Sequence, residues 1–201
     1  MTTSSQETAP TVRLAAIVLA GGRSRRFGGD KLETVVNGTP LVQHSVDAAL
    51  GVGASVVVVG PEHEGLPAGV VTVREDPPLS GPYAAVAAGL TAIDVDAEIV
   101  LVLAGDLVDP APMLPRLLEA LRGAGGAEAA VAVDASGLRQ PLLAAYRVVP
   151  LLGGVSGVDP VGRAASELLD GLRTLEVHDE HDTTRDIDTR DDLDAEIPPL
   201  A

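Results

Sequence analysis

The stretch Leu14-Ala15-Ala16-Ile17-Val18-Leu19-Ala20-Gly21-Gly22-Arg23-Ser24-Arg25-Arg26-Phe27-Gly28-Gly29-Asp30-Lys31 joins an apolar run to a glycine-rich loop. The run, from Arg13 to Ala20, shows no helical alternation and predicts a central parallel strand. The loop, Gly21 to Asp30, carries three arginines and leads to Lys31, the only lysine of the chain. Glycines let backbone N–H groups approach phosphate oxygens, and cations neutralise them. A lone lysine, where arginine is used everywhere else, points to a need for a compact, strongly hydrated charge. The stretch is therefore read as a polyphosphate cradle. N–H groups of Gly21 to Ser24 would hold the oxygens, with Arg26 and Lys31 on the charge that builds up during phosphoryl transfer. A glycine-rich βα turn with solvated arginines is the plainer reading, and a short glycine motif alone does not separate the two. The pattern is not a dinucleotide fingerprint, because no third glycine stands at the required offset. It is not a Walker A loop either, because Gly-Lys-Ser/Thr is absent.

Composition limits what such a cradle serves. At 201 residues the chain is long enough for one well-cored domain, predicted over 12–197 after a disordered tail at 1–11. Hydrophobic residues make up 46% but aromatics only 1%, so the core must be built from Ala, Val and Leu, which suits parallel strands covered on both faces. With no cysteine, disulfides and thiolate metal sites are excluded, while a hard, oxygen-liganded cation such as Mg2+ is compatible. A net charge of -15 argues against nucleic acid and against an anionic membrane surface. No apolar run is long enough to span a bilayer. Met1 to Pro10 lack a signal-peptide h-region, and the expected location is the cytoplasm.

Outward from the cradle, strands and helices alternate. Leu32 to Val36 reads as extended, with a turn at Asn37-Gly38. Thr39 is read as an N-cap with Pro40 opening a helix to Leu50. Strands are predicted at Ser55 to Gly60, Val70 to Arg74, Glu98 to Ala104, Glu128 to Val133, Pro141 to Arg147 and Thr174 to Val177. Helices are predicted at Tyr83 to Ile93, at Pro110 to Arg122 with Pro115 kinking it or delaying its start, at Pro160 to Leu172 and at Thr189 to Glu196. Val149 to Asp159 is read as a glycine-rich loop. The alternation predicts an α/β fold, a three-layer, doubly wound, mostly parallel sheet. In such sheets ligands bind beyond the carboxyl ends of the strands, where Gly21-Gly22, Asp76 and Asp106 stand.

Asp106 at a strand end suits a magnesium ligand bridging triphosphate oxygens. Its alternative is a helix cap, a role that Asp109 fills better. Asp186 and Asp188 alternate on an extended segment, so only one faces a common site. His63, His178 and His181 read as solvated loop residues. Arg163, near a predicted helix start, is read either as a contact to an acidic acceptor or as a surface arginine.

Leu19-Ala20-Gly21-Gly22-x-Ser24-x-Arg26-x-Gly28-x-Asp30-Lys31 resembles the signature of the molybdenum cofactor guanylyltransferase family, nucleotidyltransferases of the sugar-nucleotide pyrophosphorylase fold. Gly38-x-Pro40-Leu41-x-x-His44 is similar to the family's next segment, and Asp76 with Gly81-Pro82 to the one that approaches the nucleotide. Tyr83 stands where the family usually has leucine. Ala104-Gly105-Asp106 resembles a Pro-Cys-Asp or Pro-Ala-Asp strand end without its proline. Gln140-Pro141-Leu142 with Tyr146-Arg147 resembles the acceptor segment, and Asp186-Ile187-Asp188-Thr189 the closing motif.

The resemblance implies transfer of GMP from GTP to the terminal phosphate of a molybdopterin-type acceptor, releasing pyrophosphate. It implies catalysis by Lys31, Arg26 and Asp106, and nucleotide contacts from Leu19, Ala20, Gly21, Gly22, Lys31, Asp76, Gly81 and Asp106. It places Mg2+ on Asp106 and Asp186, and the acceptor near Gln140, Arg147 and Arg163. It also implies transient contact with cofactor-insertion proteins or recipient molybdoenzymes. A CTP-using or other-acceptor transferase on the same fold stays open, as does a nucleotide-binding module without catalysis.

Overall fold

In the computed structural model, which describes residues 12–21, 31–180 and 183–184, the apolar run forms β1, Leu14–Leu19. After a 3₁₀ turn at Lys31–Glu33 come β2 (Val35–Val36), β3 (Thr39–Pro40), α1 (Leu41–Gly51), β4 (Ser55–Val59), β5 (Val71–Val73) and α2 (Pro82–Leu90). Then follow β6 (Ile99–Ala104), α3 (Met113–Gly123), β7 (Ala129–Val133), β8 (Arg139–Arg147), α4 (Val148–Val155), a second 3₁₀ turn at Ala165–Leu169, and β9 (Thr174–His178).

Seven strands make one sheet in the order β5-β4-β1-β6-β8-β7-β9, and only β8 runs antiparallel to its neighbours. The carboxyl ends of the parallel strands therefore share one edge with the amino end of β8. Strand order changes direction between β1 and β6, which makes the crevice beyond Leu19 and Ala104 the switch point where α/β sheets take ligands.

β1 is apolar throughout because both its faces are covered. Ala16 and Val18 pack with α1 and α3, through residues such as Val46, Leu117 and Leu121. Ala15 and Ile17 pack with α2 and α4, through Val86, Leu90, Val148 and Leu151. Each fully buried Leu, Ile or Val contributes about 1.5–3 kcal/mol of transfer free energy. Small residues let the layers approach closely. A Cβ on Gly89 of α2 would stand 2.7 Å from Ile17 Cγ2, so this helix reaches β1 only because the position is glycine.

Four local expectations are corrected. Thr39-Pro40 forms β3, paired with β2 across Asn37 (φ 52) and Gly38 (φ 86), and α1 begins only at Leu41. A hairpin turn with two positive φ values claims these residues before a helix can. Pro115 is the third residue of α3 and Pro112, not Asp109, precedes the helix, so the proline lies in the first turn, where no N–H is needed. Val149 to Val155 is helix, not loop. Val148 and Leu151 anchor α4 in the core, and that burial outweighs the low helix propensity of Gly153-Gly154. Over 160–172 only the short 3₁₀ turn forms, because Gly162 (φ 75) turns its N–H to Ser80 O at 2.7 Å. The predicted helix at Thr189 to Glu196 and the tail at 1–11 lie outside the described residues. No helix among the described residues is long and apolar enough to cross a membrane.

Candidate functional site

Backbone bonds carry the strand order past the sheet edge. Ala20 N donates to Val59 O at 2.8 Å, Gly60 N to Val73 O at 2.9 Å and Gly105 N to Leu19 O at 2.9 Å. The last contact explains Ala104-Gly105-Asp106: a Cβ on Gly105 would lie 2.7 Å from Leu19 O. Glycine there lets the β6 end close against the β1 end and delivers Asp106 to the crevice. Ser45, fully buried in α1, donates its hydroxyl to Ala104 O at 2.7 Å and holds the same strand end from the other side.

Lys31 opens the first 3₁₀ turn and its Nζ donates to Asp106 Oδ2 at 2.8 Å. The lysine side chain is 8% exposed and the aspartate 26%. An ammonium buried this deeply needs a counter-charge, and Asp106 supplies it. Asp106 lines a cavity of about 710 Å³, within the usual range for small-molecule sites. Leu19 and Gly21 form one wall at the β1 end, Glu75, Leu79 and Gly81 (φ 103) a second, and Gln140 to Leu143 the opposite wall.

That opposite wall is a bulge. Val131 pairs with Ala144 but the next residue, Ala132, pairs with Gln140, so Pro141, Leu142 and Leu143 are extra on β8. Tyr146, fully buried, donates its hydroxyl to Pro141 O at 2.9 Å and holds the bulge. Burial pushes the Tyr146 phenol well above its usual value, which keeps it a donor. Gln140 donates Nε2 to Asp134 Oδ2 at 2.7 Å. A carboxylate only accepts, so the amide nitrogen must face Asp134, which leaves the Gln140 carbonyl oxygen available to a ligand. The Ser136 hydroxyl, then the Leu138 N–H, hold the Asp134 carboxyl below its ordinary value, against a small opposing effect of burial.

Of the residues singled out in the sequence, Leu19, Gly21, Gly81, Asp106 and Gln140 line this cavity, Lys31 is bonded to one of them, and Ala20 is buried beside them. Asp76 does not line it. The residue is exposed, and its neighbour Glu75, 7% exposed, lines the cavity instead. Both acids lie beyond β5, on the loop whose turn decides which of them is buried.

Arg147 sits at the far end of β8, opposite Ile99 where β6 begins, and donates to the carbonyls of Ala127 at 3.0 Å and Leu121 at 3.3 Å. β8 is antiparallel, so its carboxyl end is the sheet edge away from the cavity. Arg163 is adjacent to Gly81 through its backbone, but its guanidinium lies over the Tyr83 ring at 5.6 Å and pairs with Glu167 at 2.6 Å. Tyr83 itself is a core residue whose hydroxyl bonds Gly154 O at 3.2 Å, so the departure from leucine bears on α4 rather than on the cavity. Gly22, Arg26 and Asp186 lie outside the described residues.

His63 is buried, not solvated, with Nδ1 on Glu33 Oε1. Thr184 reaches the cavity from the acidic segment after β9, its N–H held by Asp179 Oδ2 at 2.7 Å. No sequence pattern marked it or Ser45, since both depend on contacts between distant segments. Among the described residues no group of three or more His, Cys, Asp or Glu side chains converges as a metal cage. The hard carboxylate of Asp106 at the crevice fits Mg2+ of the kind that substrate phosphates complete, and does not fit zinc.

Comparison with known proteins adds a family. Residues 16–174 match the MobA-like NTP transferase domain. The probable molybdenum cofactor guanylyltransferase of Pyrococcus horikoshii is 37% identical over 105 residues, covering 48% of this chain and 50% of that protein. The molybdenum cofactor guanylyltransferase of Acidiphilium cryptum is 33% identical over 189 residues, 90% of this chain and 93% of its own. The match spans about half the length of several such relatives and nearly all of the Acidiphilium protein. The fold is shared with molybdopterin-guanine dinucleotide biosynthesis protein A of Archaeoglobus fulgidus (TM-score 0.64, 21% identity, 90% of this chain and 95% of that one). It is shared equally with a 4-diphosphocytidyl-2C-methyl-D-erythritol synthase of Anaerococcus prevotii (TM-score 0.65, 16% identity, 92% and 96%).

Proposed function

The chain belongs to the MobA-like NTP transferase family, and on that premise we propose that it moves GMP from GTP to the terminal phosphate of a molybdopterin-type acceptor, releasing pyrophosphate. The observation that carries the reading is the Lys31–Asp106 pair, set at the switch point between β1 and β6 beside Gly21. The acceptor phosphate attacks the α-phosphorus of GTP, the bond from that phosphorus to the β-phosphate bridging oxygen breaks, and pyrophosphate carries the charge away. The nucleophile is an ionised phosphate at neutral pH, so no general base is required. Lys31 balances charge on the triphosphate, and Arg26 in the glycine-rich loop is assigned the same work. Asp106 would hold Mg2+, which when bound neutralises triphosphate oxygens, and Asp186 is assigned as a second carboxylate. Gln140 presents its carbonyl oxygen to the acceptor side of the cavity. Catalysis on this account is positioning and charge neutralisation.

The test is pyrophosphate release from GTP or CTP with Mg2+ and molybdopterin acceptor. Release from GTP that stops on chelation of the metal is expected. Preference for CTP would move the chain to cytidylyl transfer, and GTP binding with no pyrophosphate released would leave a nucleotide-binding module.

A further inference from the structure

We infer that Glu75 reads the nucleobase, accepting the two adjacent N–H donors on the Watson–Crick edge of guanine; this rests on the guanylyl reading above. The residue is 7% exposed yet lines the cavity. Its Oε1 takes the Leu79 N–H at 2.8 Å, and a Cβ built on Gly21 would lie 3.9 Å from that same oxygen, so the carboxylate stands beside the β1 end. Among the described residues no protein donor meets Oε2 and no cation pairs with Glu75. A buried carboxylate without a cation is costly unless donors complete it. Here the open side is the cavity, where the donors of a bound ligand can meet Oε2.

The position selects which part of the ligand. Glu75 follows β5, on one side of Asp106 in the strand order, and Gln140 opens β8 on the other. With phosphates at Asp106 and Lys31, the nucleoside lies toward Glu75 and the acceptor toward Gln140. Leu19, Leu79, Pro82 and Ala85 give that side apolar walls suited to a planar base. A carboxylate is an acceptor only. Guanine offers N1–H and N2–H side by side. Cytosine and adenine place a ring nitrogen lone pair next to their amine, which the second oxygen repels. Uracil flanks its one N–H with two carbonyls.

Inosine triphosphate, which lacks only the N2 amine, isolates the contact. Wild-type protein is expected to prefer GTP over ITP by about tenfold to a hundredfold in kcat/KM, the loss of one hydrogen bond to a charged group. In Glu75→Gln, which keeps an acceptor for Leu79 N–H, this ratio is expected to collapse to within about threefold. A purely structural Glu75 would lower both substrates together and leave the ratio intact, which overturns the inference while sparing guanylyl transfer. Equal use of GTP and ITP by wild type overturns it as well. Preference of wild type for CTP overturns the guanylyl reading and this inference together. Should Glu75→Gln fail to fold, Glu75→Asp, with the charge kept and the reach shortened, is scored on the same ratio.

Discussion

The two edges of the sheet use cations in opposite ways. At the carboxyl edge Lys31 meets a carboxylate, Asp106, on the wall of a cavity. At the amino edge, among the described residues, Arg147 meets only carbonyls, those of Ala127 and Leu121. A guanidinium spread over two carbonyls ties chain segments together and stays as it is. An ammonium paired with a carboxylate at a crevice forms a couple that a triphosphate and its metal can take apart, each partner then meeting an opposite charge. The location of a basic residue near a strand end is therefore uninformative until the direction of that strand is known.

The comparison breaks first at Lys31. Lys31→Ala is expected to lower kcat by about 10²–10³, as removal of a charge-stabilising donor does, while a thermal melt still shows a cooperative fold. Near-normal turnover would place Lys31 with Arg147 as a structural cation. Asp106→Asn is next: a loss of about a hundredfold or more is expected, with the rate no longer rising as Mg2+ is titrated in. Arg147→Ala should show the converse, a fall of about 1–3 kcal/mol in unfolding free energy by denaturant titration, with kcat/KM for both substrates unchanged. A changed acceptor KM in that variant would mean the two edges communicate.

The smallest effect is expected at Asp134. Asp134→Ala frees the Gln140 amide and should raise the acceptor KM by about five- to tenfold, with the GTP KM unchanged. The pH dependence follows from the direction of its shift. The folded carboxyl titrates below its ordinary value of 3.8, so its contribution is present above that value and is lost only as pH falls through the lower folded one. The acceptor KM should therefore show no step attributable to Asp134 between pH 5 and 8.

Much of the site was legible because it lies in contiguous sequence. β1, Gly21 and Lys31 belong to one stretch, and Asp106 follows the most apolar strand. Asp76 and Glu75 show the limit: adjacent acids on a loop with three prolines differ only in which one the turn buries. The comparison with Arg147 shows another, since a strand pattern is the same read in either direction.

By itself the amino-acid order determined the α/β class and the positions of the sheet's strands, because strands covered on both faces must be apolar runs. Tertiary structure decided the rest. It turned Glu75 inward, bulged β8 over Tyr146, made α4 a helix through Val148 and Leu151, and put Arg147 at the edge away from the cavity. Each of those outcomes depends on burial or strand direction set by segments far apart in the chain, and no local propensity encodes such packing.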